Sequence, residues 1–66
     1  MNIVFYLSDH GFGHVVRNIP VIASLITRYD AHIYIVCGRS QLGFAKDVLV
    51  TMLDRKQYEK IICREN

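Results

Sequence analysis

The sequence of 66 residues predicts an α/β fold, a partial Rossmann-like β-α-β-α unit with parallel strands. Three observations carry that expectation. Short continuous apolar runs alternate with segments of helical period, and a two-glycine turn joins the first run to the first helical segment. The order strand, glycine turn, helix, strand, helix is the alternation that builds a parallel sheet with right-handed crossovers.

The first strand is expected over residues 2–8. Ile3, Val4, Phe5, Tyr6 and Leu7 are continuous, apolar and rich in β-branched and aromatic types, which fits a strand buried on both faces of a parallel sheet. The turn Ser8, Asp9, His10, Gly11, Phe12, Gly13, His14 follows at once. Its two glycines allow backbone angles closed to other residues. Apolar positions then change period. Val15, Ile19, Ile22, Ile26 and Tyr29 recur every three or four residues and predict a helix over 14–29. Pro20 falls in its second turn and is expected to bend it by removing one backbone donor. A start at Ile19, with Asn18 as cap, is the alternative that makes Pro20 an early helical residue.

A second strand is expected over 31–37, centred on Ile33, Tyr34, Ile35 and Val36, and Gly38, Arg39 and Ser40 end it. A second helix is expected over 41–53, with Ala45, Val48, Leu49, Met52 and Leu53 on one face. Residues 60–63 suggest a third short strand, while 55–59 show no clear period. Residues 1–66 thus read as a single partial domain, with no internal repeat and no low-complexity linker.

Composition bounds the function classes. Hydrophobic residues make up 52% and charged residues 21%, which excludes a disordered chain. A chain of this size buries only roughly 60% of its unfolded surface, so so much apolar material leaves some exposed. A fragment of a larger protein, or a homo-oligomer, is the expectation. The net charge of +2 is spread thinly, with no basic face before residue 55, so nucleic acid is not an expected partner. Cys37 and Cys63 match no zinc or redox spacing, and Cys37 sits in an apolar run where a thiol acts as a small hydrophobe. The apolar start lacks a basic leader and is too short to span a bilayer, so no transmembrane segment and a cytoplasmic location are expected.

The informative stretch for chemistry is residues 9–14, between the first strand and the first helix, where open α/β sheets bind ligands. Glycines let the chain approach a ligand, and a helix amino terminus offers donors and partial positive charge to an anion. The stretch is neither a dinucleotide fingerprint, since its third position falls on Val16, nor a P-loop, since no Lys-Ser or Lys-Thr follows. His10 and His14 flank the glycines. An imidazole there can remove a proton from a hydroxyl during group transfer, or simply cap the helix and bond loop backbone. A metal pair is disfavoured, because the glycines break the helix that their spacing would need. His32, at the entry to the second strand, reads as structural.

Gly11, Phe12, Gly13 and His14, preceded by His10 and followed by Arg17, resemble the His-Gly-Phe-Gly-His-x-x-Arg stretch that opens a group of bacterial and plant glycosyltransferase-like proteins. That group includes the amino-terminal domain fused to plant arabinose kinases. The run is similar, more distantly, to the glycine-rich first loop of the transferase that adds N-acetylglucosamine to the peptidoglycan lipid precursor. The likeness covers residues 2–40, and only the eight-residue motif is specific. Asp9 departs from the small residue usual there, and an acid at that place repels a phosphate.

The resemblance implies the amino-terminal, acceptor-side segment of a two-Rossmann-domain (GT-B) enzyme that uses a nucleotide sugar as donor and an unknown acceptor, with no further cofactor. It implies that Gly11, Phe12 and Gly13 shape a loop facing the cleft between domains. It makes His14 the first candidate base and His10 the second, and it offers Arg17 to a phosphate or an acceptor carboxylate, with a salt bridge to Asp9 or a contact to a loop carbonyl as the alternative. The main nucleotide-binding residues of such enzymes lie in the carboxyl-terminal domain, so these 66 residues alone are expected to be inactive. The competing expectation is a stand-alone nucleotide- or phosphate-binding module, or a self-associating interaction module without catalysis.

Overall fold

The structure is a computed structural model that describes residues 1–8 and 10–66. Its elements in chain order are β1 (Asn2–Tyr6), α1 (Gly13–Tyr29), β2 (His32–Cys37), α2 (Arg39–Met52), α3 (Arg55–Tyr58) and β3 (Ile61–Glu65). The described strands form one sheet in the order β1-β2-β3, parallel throughout. Asn2 pairs with His32 and Tyr6 with Val36, while Ile33 pairs with Ile61 and Cys37 with Glu65. This is the α/β parallel unit that the alternation predicts, extended by a third strand.

Each parallel step needs a crossover, and α1 and α2 supply the two. Both lie on one face of the sheet. Ile33, Ile35 and Cys37 point beneath the helices and are fully buried, with Ile3, Phe5, Ile61 and Cys63 packed around them. From α1 come Val15, Ile19, Ile22, Ala23 and Ile26, and from α2 Leu42, Ala45 and Leu49. Burying a side chain such as Ile22 or Leu49 contributes about 1.5–3 kcal/mol, so these few residues carry the fold.

Among the described residues, no element covers the opposite face. Val4 is 49% exposed, Tyr6 79% and Ile62 45%, which corrects the expectation that the first strand is buried on both faces. The cause is topological: consecutive strands added in one direction put both crossovers on the same side. A continuous apolar run therefore does not by itself say whether two layers or one cover it. Among the described residues no helix is long and apolar enough to cross a membrane.

Several boundaries differ from the sequence expectation for local reasons. The helix runs through Pro20, so the start at Ile19 is not adopted. Pro20 and Val16 are both exposed, which puts the missing donor on the outer side of the helix. Tyr29, the last residue of α1, is 58% exposed and stands clear of the core stripe. Met52 is 49% exposed, because the extended residue Leu53 turns into the core in its place. Asp30 closes α1 in the left-handed region at φ 54° and pairs with Lys60.

The segment without period, 55–59, contains α3. Its signal is a capping box rather than a stripe. The Asp54 carboxylate accepts from the Gln57 backbone N–H at 2.8 Å, and Gln57 Oε1 accepts from the Asp54 N–H at 3.0 Å. A helix of 4 residues has none fully buried, so the cap and the packing of Tyr58 against the core hold it.

Candidate functional site

All three strands of the sheet end at the same edge, and the glycine turn leaves from there. Leu7 extends the ladder by one bond, its N–H donating to the Val36 carbonyl at 2.9 Å. The His10 N–H then donates to Ser8 Oγ at 3.1 Å, which starts the bend. Gly11 follows at φ 75°, and a Cβ there would meet no atom within 4 Å. The demand for glycine is thus conformational, not one of space. Phe12 caps α1, with the Val16 N–H donating to its carbonyl at 2.9 Å. Its side chain has no acceptor, and the first turn of α1 holds no acidic residue. The positive end of the helix is therefore not neutralised from within α1.

His10, Gly11, Phe12, Gly13, His14 and Arg17 are all exposed along this turn. The His14 carbonyl accepts from Asn18 Nδ2 at 2.7 Å, and the residue itself is exposed. Arg17 folds back: a Cβ on Gly13 would lie 3.9 Å from its Nη2. A guanidinium thus lies over the first turn, where the helix dipole is already positive. Such a pairing of like signs is unfavourable alone and favourable once an anion sits between them. Asp9, and with it an Asp9–Arg17 salt bridge, lies outside the described residues. Among the described residues there is no enclosed cavity and no cluster of metal-ligating type, so the site is an open shelf.

Two residues that sequence reasoning missed hold this shelf. Gln41, at the start of α2, is only 7% exposed and donates from Nε2 to the Gly11 carbonyl at 3.0 Å. Phe44, one turn on, meets Phe12 edge to face with ring centroids 5.5 Å apart. Neither carries a signal in the sequence, where a glutamine near a helix start reads as surface. At the same end of the sheet Arg39 Nε bonds Glu65 Oε1 at 3.2 Å, tying the start of α2 to the end of β3.

The cysteines lie elsewhere. Cys37 is buried beneath the helices, and burial pushes the half-buried Cys63 thiol up, against the opposing pull of Lys46. Compared with known protein families, with curated proteins and with solved structures, the chain matches none.

Proposed function

We propose that this chain is the amino-terminal, acceptor-side segment of a nucleotide-sugar-dependent glycosyltransferase of the two-Rossmann-domain kind. The observation that carries the reading is the folding of Arg17 over Gly13 at the positive end of α1, on a loop open to solvent at the carboxyl end of a parallel sheet. In this reading Gly11, Phe12 and Gly13 form the shelf, and Arg17 with the first-turn N–H groups receives a phosphate or an acceptor carboxylate. His14 takes the proton from the attacking hydroxyl, and His10 is the second candidate. The donor's nucleoside is held by a further domain, so this segment does not turn over sugar nucleotides on its own. The reading places the protein in the cytoplasm.

The test is calorimetry with uridine diphosphate. Binding is expected to be weak, in the millimolar range, and Arg17→Ala should weaken it by about tenfold, the worth of one charge-assisted hydrogen bond. Arg17 is exposed, so the variant should keep its fold. Equal binding by both proteins, or turnover of a sugar nucleotide by the 66 residues alone, would contradict the proposal.

A second reading is favoured by the bare sheet face. A chain with Val4, Tyr6 and Ile62 exposed on one surface has reason to self-associate, and a non-catalytic interaction module would use that surface.

A further inference from the structure

We propose that Gln41 and Phe44 are the positioning residues of the glycine loop, and that α2 acts as a two-point latch on it. The loop needs one. Gly11 stands in the left-handed region at φ 75°, and a Cβ there would meet nothing within 4 Å, so no contact on that side holds it. Phe12 is 44% exposed and lies outside the core cluster. Beside the Ser8 bond to the His10 N–H, the described restraints on Gly11 and Phe12 come from α2. The buried Gln41 amide donates to the Gly11 carbonyl, and the Phe44 ring takes the edge of Phe12 from the side.

The two points act on consecutive residues and from consecutive turns of one helix. The polar contact fixes the Gly11 carbonyl, and through it the peptide plane that leads into Phe12. The aromatic contact fixes the side chain of the residue that caps α1. Together they set where the first-turn N–H groups of α1 and the Arg17 guanidinium stand. α2 is itself anchored through Leu42, Ala45 and Leu49, so the loop inherits the rigidity of the core. A preorganised loop binds more tightly than a mobile one, because the ordering cost falls before the ligand arrives. The effect on affinity rests on the sugar-nucleotide reading above; the latch itself does not.

The chain has three phenylalanines, Phe5, Phe12 and Phe44, which makes fluorine resonance after 4-fluorophenylalanine labelling a direct probe. Phe5 reports the core, Phe12 the loop and Phe44 the latch. Gln41→Met keeps the volume and removes the donor; Phe44→Leu removes the ring. In both, the Phe12 signal is expected to move toward its unfolded position while Phe5 stays in place. Uridine diphosphate should bind each variant about tenfold more weakly, as when the competent loop population falls to about a tenth. If the nucleotide binds no protein in the series but the Phe12 signal moves as described, the latch stands and the sugar-nucleotide reading falls. An unmoved Phe12 signal in both variants overturns the latch. Collapse of all three signals in Gln41→Met also overturns it, since Gln41 would then hold the fold and not the loop.

Discussion

Ile35→Ala is expected to leave the chain largely unfolded at room temperature. Ile35 is fully buried at the centre of β2, the middle strand, with Phe5 beside it on one flank and Cys63 on the other. Truncating a buried isoleucine costs about 2–5 kcal/mol, from lost transfer energy and from the cavity left behind. A single core in a chain this short supplies no more than about 3–5 kcal/mol in total. The cost and the reserve are of one size, so the cooperative transition should all but vanish. Far-ultraviolet circular dichroism against urea checks it: the wild type should show a transition, and the variant should begin near the unfolded baseline. A variant that keeps its helices with a midpoint close to the wild type would mean that the core is not centred on β2.

The second large effect concerns the bare face. At concentrations where the chain is stable, sedimentation should show an oligomer, and Val4→Lys with Ile62→Lys should shift it to monomer. Val4 and Ile62 flank Tyr34 across the three strands, so the pair places two charges on one row of the exposed face. Covering the exposed half of a valine or isoleucine contributes about half of the 1.5–3 kcal/mol of full burial, and losing two such contacts shifts an association constant by about tenfold to a hundredfold. Both residues are about half exposed in the chain, so the fold should survive the change. A monomeric wild type, or a double variant that sediments like it, would count against self-association through this face.

The sequence carried the architecture through its periods. Alternating runs located β1, α1, β2 and α2, because a helix or strand with one buried face must write that face into its spacing. It did not carry coverage. The run from Ile3 to Leu7 has the same look whether helices lie on one side or on both, and Tyr6 is apolar enough to pass for core. α3 was illegible for another reason: Asp54 and Gln57 form it through reciprocal hydrogen bonds, which leave no periodic trace. At the site, the glycines, the histidines and Arg17 stood out by type and position. Gln41 and Phe44 did not, since their roles depend on how α2 crosses the loop, and contacts across about thirty residues of chain leave no local pattern.

The proposed role of the first turn of α1, with Arg17 folded over it, is to receive a phosphate. Backbone amide resonances during titration with uridine diphosphate, and in parallel with uridine, test it most directly. The diphosphate should move the Gly13, His14 and Val15 amides in a saturable way, while uridine leaves them in place. Equal shifts from the two ligands, or movement confined to the opposite end of the sheet, would contradict it.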